Sequence, residues 1–382
     1  MFNKKSKNRE PLVHIVKRTD IPWWNALLMR LAAVLFGVLL VCLLLLIFTG
    51  ADPFTVFSEL VKGCFSSERR IRITFRDLSL LLGTGLALIP AFKMKFWNLG
   101  GNGQILMGAL ASIACMYYMG NAGIPDWVIN ITMVPCAIIA GIIWAVIPAI
   151  FKAYFNTNES LFTLMMNYIA VGIVSVFLSA VVTSGSGTLG DVSTGNLPVL
   201  GRAEYLTIIV VSIVLVLVFF YLKFDKHGYE LEVVGESQNT AKYVGINVKK
   251  VIIRTMVLSG AICGLMGLLI AGSIDHTITT DTAKNLGFTA IMVAWLAKFN
   301  PFVMVGTSFI ITLLDNGMGQ VQSTFGITND SIADIVVGLV YFSIIAVEFF
   351  ISYRIVFKKR TPKLETSTNQ VESTSKEVKE GK

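Results

Sequence analysis

Long apolar runs separated by short polar or glycine-bearing segments dominate the chain. Ala26–Phe48 is apolar except for Arg30, and Leu206–Leu222 is apolar almost throughout. Runs of roughly 20 such residues match the hydrocarbon thickness of a bilayer. Ile105–Met119, Trp127–Phe151 with Pro135 and Pro148 as kinks, the helix that follows Asn158, Val251–Gly272 and Ile332–Phe357 read the same way. Two stretches differ. Leu78–Phe92 is short and runs into Lys93-Met94-Lys95-Phe96-Trp97-Asn98-Leu99-Gly100-Gly101-Asn102-Gly103-Gln104 before apolar character resumes. Gly287–Phe299 is also short and ends at Asn300-Pro301, ahead of Phe302–Gly317. Irregular backbone at membrane depth is tolerated only where it faces protein or a water-filled cavity. The pattern therefore predicts an all-α polytopic membrane protein of about 10 transmembrane helices, with two discontinuous segments and weak internal pseudo-symmetry.

Composition agrees with that class. The 382 residues are 54% hydrophobic and 15% charged, against roughly 25% charged in soluble domains. The net charge of +8 lies mostly at span ends and at both termini, which fits the positive-inside rule and does not call for a nucleic-acid partner. Residues 1–25 form a basic cytoplasmic segment, 26–357 the membrane domain, and 358–382 a polar tail without periodicity that reads as disordered. Both termini are then cytoplasmic, in the cell membrane. Cys42, Cys64, Cys115, Cys136 and Cys263 show no C-x-x-C spacing, so neither a disulfide framework nor a metal site is expected. Residues 51–77 sit awkwardly: on the outside by this count, they carry Lys62, Arg69, Arg70, Arg72 and Arg76, with a surface amphipathic helix suggested by Phe54, Phe57, Leu60 and Gly63. His276 reads as an exposed loop residue, and Ser273–Asn285 as an external loop.

Between the spans ending at Leu222 and beginning at Val251 lies a polar, helix-forming loop, 225–250, punctuated by Gly235 and Gly245. Asn239-Thr240-Ala241, three residues, then Gly245-Ile246 resembles the cytoplasmic coupling loop of ABC importer permeases, E-A-A-x-x-x-G, and more closely the nucleoside and simple-sugar branch, a branched-chain-type permease family. Glu232, Ser237 and Thr240 depart from that branch, which usually has Arg, Asn and Ala. The segment Asn98, Gly100, Gly103, Gln104, Met107, Gly108 and Ala109 resembles F-N-I-G-A-E-G-Q-L-L-M-G-A, with Asn102 replacing Glu. Asn158-Glu159 through Leu164, Asn167 and Tyr168 resembles T-N-E-V-I-x-T-L-M-L-N-Y-I-A. Gly287, Phe288, Ile291, Val293, Ala294, Asn300 and Pro301 resemble G-F-D-G-I-A-V-A-L-L-G-x-x-N-P, with Thr289 in place of Asp.

The resemblance implies a permease subunit of an ATP-driven importer that moves nucleosides or related small polar solutes by alternating access. The chain has no G-x-x-x-x-G-K-S/T, so it is not itself an enzyme. ATP and Mg belong to separate ATP-binding subunits, and the other partners implied are a second permease, different or identical, and an extracytoplasmic solute-binding lipoprotein. Coupling falls to Gly235, Asn239, Ala241, Gly245 and Ile246, with Ala241, Val244 and Ile246 as an apolar docking face. The translocation path falls to Trp97, Asn98, Gly100, Gly103, Gln104, Asn158, Glu159, Asn167, Tyr168, Gly287 and Phe288. For Asn158 and Glu159 helix capping is an equal alternative, and for Asn167 helix-helix hydrogen bonding. The competing class is an ion-gradient transporter, which would use Asp315, Asp334 and Glu348.

Overall fold

Seven helices of the computed structural model are long and apolar enough to cross a bilayer. The structure describes residues 13–17, 22–50, 52–182, 188–326 and, within 335–357, all but 336, 337, 340, 344, 348, 350 and 352. The seven are α3 (Glu68–Lys93), α4 (Gly101–Asn121), α5 (Asp126–Phe155), α6 (Glu159–Val181), α7 (Ala203–Lys223), α10 (Val248–Leu269, prolonged to Asp275 by a π-helical turn) and α12 (Pro301–Phe325). Shorter helices are α2 (Pro53–Phe65), α8 (Lys226–Glu236), α9 (Gln238–Tyr243) and α11 (Leu286–Leu296). Of the remaining expected spans, α1 (Trp23–Thr49) carries a shorter apolar stretch, Leu35–Ile47. The expected tenth span is described only in part, and its last residues form a strand. Strand β1 (Val13–Lys17) pairs antiparallel with β2 (Tyr353–Phe357), Ile15 opposite Ile355. Contacts divide the chain into residues 1–34 with 343–382, and residues 35–342. The tail 358–382, Asp334 and Glu348 lie outside the described residues.

Within residues 35–342, α3 is the central helix, with Leu78–Phe92 wholly buried. It does not begin at Leu78. Ser67 caps it by accepting from the Arg70 amide at 3.3 Å, so the basic stretch forms its first turns. Two of those charges are paired: Arg72 meets Glu68 and, at 3.9 Å, Glu204, while Arg76 meets Asp77 at 2.7 Å. The predicted amphipathic helix is α2, capped by Asp52, with Val56, Leu60 and Cys64 buried on the α12 side and Phe54 exposed.

Helices α4, α5 and α10 approach at backbone distance because small residues line their contacts. A Cβ on Gly108 would lie 2.5 Å from the Gly264 carbonyl oxygen, and one on Gly260 2.5 Å from that of Gly141. In a bilayer, where apolar side chains gain little by leaving lipid, such close packing is a main source of helix association.

Candidate translocation cleft and coupling helices

Helix α3 ends at a left-handed lysine, Lys95 with φ 58°, closed by bonds from Lys95 N to Phe92 O and from Phe96 N to Ala91 O, both 2.9 Å. Helix α11 ends in the same way: Lys298 and Phe299 have φ 51° and 58°, and Lys298 N and Phe299 N bond to Trp295 O and Ala294 O at 2.9 Å. The two ends touch, with Phe92 stacked on Phe299 at 6.0 Å and Trp97 5.2 Å from Trp295. This is the local form taken by the predicted pseudo-symmetry.

Residues 94–100 are non-helical and mostly buried, so their backbone groups need partners other than a helix ladder. Side chains supply them. Asn167 donates to Leu99 O at 2.9 Å and accepts from Gly103 N at 2.8 Å; Thr163 Oγ1 accepts from Leu99 N at 3.1 Å. Asn98, fully buried, donates to Ser259 Oγ at 3.2 Å and accepts from Gly100 N and Gln104 Nε2 at 3.0 and 3.2 Å. Gly100 and Gly103 leave room for Thr163 and Asn167: a Cβ on Gly103 would stand 2.9 Å from both Asn167 Oδ1 and Trp144 Nε1.

The first break is thus a buried link between two full-length helices, where the sequence suggests two half-spans; the second contains a genuinely short helix, α11. Asn102 joins them. Its Oδ1 accepts from Gly287 N at 2.7 Å and its Nδ2 donates to Asn285 Oδ1 at 3.4 Å. Expected as an external loop, Ser273–Asn285 therefore returns into the bundle to reach the start of α4. His276 is partly buried with φ 48°, not an exposed loop side chain.

Beside this junction lies a cleft of about 230 Å³, with Leu164, Asn167, Tyr168 and Val171 along α6 and Asn102, Gly103, Thr280, Asp281, Lys284, Asn285 and Phe288 on its other sides. Asn167 stands about 12 Å along α6 from its first residue, at 1.5 Å per residue. Of the expected path residues, Gly103, Asn167, Tyr168 and Phe288 line the cleft. Trp97, Asn98, Gly100, Gln104 and Gly287 lie behind it, in or against the break. Asn158 and Glu159 lie elsewhere: Asn158 caps α6 by accepting from Leu161 N at 3.1 Å, and Glu159 pairs with Lys152 at 2.7 Å. Asp281 and Asn285 are cleft residues that the sequence reading places in an external loop, and Asn102, noted there only as a departure from the family's Glu, is a third. No local signal marks Asp281 and Asn285, because the contact that brings their loop into the bundle joins residues 183 positions apart.

At the bundle end where α3 finishes, the loop expected to couple forms two helices, α8 and α9. Ser237 ends α8 and caps α9, accepting from Thr240 N at 3.2 Å; Gly245 has φ 85°; Asn247 caps α10, accepting from Lys250 N at 3.1 Å. Gly235 lies against the last residue of α3, where a Cβ would collide with the Lys93 carbonyl oxygen. Glu232, one of the departures from the resembled loop, ion-pairs with Lys93 at 2.6 Å. Ala241 is buried in the chain's own core and accepts from Ile246 N at 2.9 Å, so it is not part of an outward docking face. Gln238, Asn239, Thr240, Lys242, Tyr243 and Val244 are exposed, with Ile246 half-buried. Glu230, 2.9 Å from Arg254, feels burial that raises its pKa, but Arg254 and His227 outweigh it and hold the carboxyl below its ordinary range.

Residues 73–345 match the family described as branched-chain amino acid transport system / permease component. The chain is 28% identical to the guanosine ABC transporter permease protein of Bacillus subtilis over 327 residues, covering 82% of this chain and 91% of the relative. It is 27% identical to the nucleoside ABC transporter permease protein of Lactococcus lactis over 355 residues, 88% of this chain and 93% of the relative. A glucose ABC transporter permease protein of Haloferax volcanii is 26% identical over 361 residues, 88% and 92% of the two chains. A matched region that takes in both breaks, the cleft and helices α8 and α9 makes this chain a member of that permease family and a multi-pass permease subunit of an ABC importer.

Proposed function

We propose that this permease imports nucleosides by alternating access, with both termini and α8–α9 cytoplasmic, driven by ATP-binding subunits that hold ATP and Mg, beside a second permease and below an extracytoplasmic receptor. The observation that carries the mechanism is the seating of α8 on α3. Gly235 rests on the Lys93 carbonyl, and Lys93 begins the link that leads within five residues to Asn98 and the break. A push on the exposed Tyr243–Val244 edge passes through α8 into the segment whose hydrogen bonds shape the cleft, without a flexible connection between them. The cleft suits a nucleoside: Tyr168 and Phe288 offer ring faces to a base, and the amides of Asn102, Asn167 and Asn285 offer donors and acceptors. Names of two relatives, a guanosine and a nucleoside permease, support the same cargo.

The test is ATPase activity of the complete importer in lipid, with receptor loaded with guanosine or with glucose. Stimulation by the nucleoside-loaded receptor, lost in Gly245→Val, is the expected result. Stimulation by glucose alone would replace the cargo, and stimulation that survives Gly245→Val would remove the coupling role of α8–α9.

A further inference from the structure

The two sides of the cleft differ in chemistry. On one, Tyr168 and Phe288 are 67% and 36% exposed, large aromatic surfaces turned toward the opening. On another stands Asp281. Its backbone is occupied, the N–H donating to Thr279 Oγ1 at 3.3 Å and the carbonyl accepting from Lys284 N at 2.8 Å. Its carboxylate forms no hydrogen bond or ion pair among the described residues, whereas the neighbouring Asp275 lies 3.7 Å from Lys284 Nζ. An acceptor-only group at the rim of the cleft, with no donor bonded to it among the described residues, is left open to hydroxyl donors from a solute.

The segment that presents it is held in a costly conformation. Lys284 and Asn285 are consecutive left-handed residues with φ 44° and 56°. Each costs on the order of 1–3 kcal/mol and persists only where the surroundings fix it, as such residues do at ligand sites. Asn102 is what fixes it, through Asn285 Oδ1 and Gly287 N. Asp281 is thereby carried at a set distance from the aromatic side.

A carboxylate can take two hydrogen bonds side by side, and a ribose presents two adjacent hydroxyl donors; the pairing of an acidic side chain with ribose hydroxyls recurs in nucleotide-binding folds. We infer that Asp281 accepts hydrogen bonds from the 2′- and 3′-hydroxyls of the passing nucleoside while its base lies against Tyr168 and Phe288, so that the permease itself favours ribonucleosides over 2′-deoxyribonucleosides. This deepens the nucleoside reading and rests on it.

The experiment is uptake of guanosine and 2′-deoxyguanosine, each below saturation, by the complete importer in liposomes, with one receptor preparation in every arm, so that any change in the ratio belongs to the permease. Asp281→Asn weakens two charge-assisted bonds to the ribonucleoside and one to its deoxy analogue. Guanosine uptake should fall about tenfold and 2′-deoxyguanosine uptake about threefold or less. Asp281→Glu keeps the charge, moves it by one methylene and should narrow the ratio less; it carries the test alone if the Asn variant does not assemble. Equal losses for both nucleosides, or a ratio unchanged in both variants, overturn the assignment of Asp281. If the wild-type importer moves glucose and neither nucleoside, the cargo reading itself falls, and this inference with it.

Discussion

Asn167 shows how one side chain replaces a helix ladder. It satisfies Leu99 O and Gly103 N together, so Asn167→Ala leaves a buried donor and a buried acceptor unpaired, each worth about 1–3 kcal/mol. The apparent melting temperature of the detergent-solubilised complex should drop by several degrees. Asn167→Asp, which keeps the acceptor for Gly103 N, should drop less. Asn102→Ala has a different signature. Its bonds lie at the edge of the cleft and join the two breaks, so the melting temperature should change little while nucleoside-stimulated ATPase falls severalfold. If stability and stimulation fall in parallel for Asn102→Ala, its role is packing alone.

The attachment of α8 to α3 is mostly steric. Glu232–Lys93 is a short ion pair, but Glu232 is 58% exposed, and exposed pairs contribute about 1 kcal/mol or less. Glu232→Arg, the residue usual in the resembled loop, should therefore leave thermal stability nearly unchanged. Gly235→Leu, forced against the Lys93 carbonyl, should detach α8 and abolish receptor-stimulated ATPase. Glu230 ties α8 to α10 through Arg254. Because its folded-state pKa lies below the unfolded value, its contribution is fully present above the ordinary carboxylate range and is lost as pH falls through the depressed value. Thermal stability should consequently fall less steeply with acidification in Glu230→Gln than in wild type, as melting curves from pH 7 to pH 3 would read.

Over the whole molecule, α3 links the two ends of the bundle. Its first turns lie beside α2 and its last residue lies under α8. If α8–α9 face the cytoplasm, Tyr243→Cys should react with an impermeant thiol reagent only from the inside and Phe54→Cys on α2 only from the outside. Both positions are highly exposed, 92% and 86%, so each is open to reagent on its own side. Reversed labelling would overturn the proposed orientation.

Sequence determined what depends on local chemistry. Apolar runs fixed the membrane class, because only a self-bonded helix hides its backbone in lipid; glycines with amides placed both breaks; the polar cap at Asn158 marked a helix start that the structure contains. Tertiary structure alone decided which way these features face. Asn98 and Gln104 look like path residues because polar groups in a span invite function; in the structure Asn98 accepts from the Gly100 backbone and from Gln104, and neither lines the cleft. Asp281 and Asn285 looked external, because nothing local announces that a loop will fold back to meet Asn102. The basic stretch 69–76 looked like a surface segment, because one of its acidic partners, Glu204, lies more than a hundred residues away on another helix. Local periodicity sets which residues become helix, whereas hydrogen bonds and ion pairs between distant residues set which polar groups are structural and which remain open to a solute.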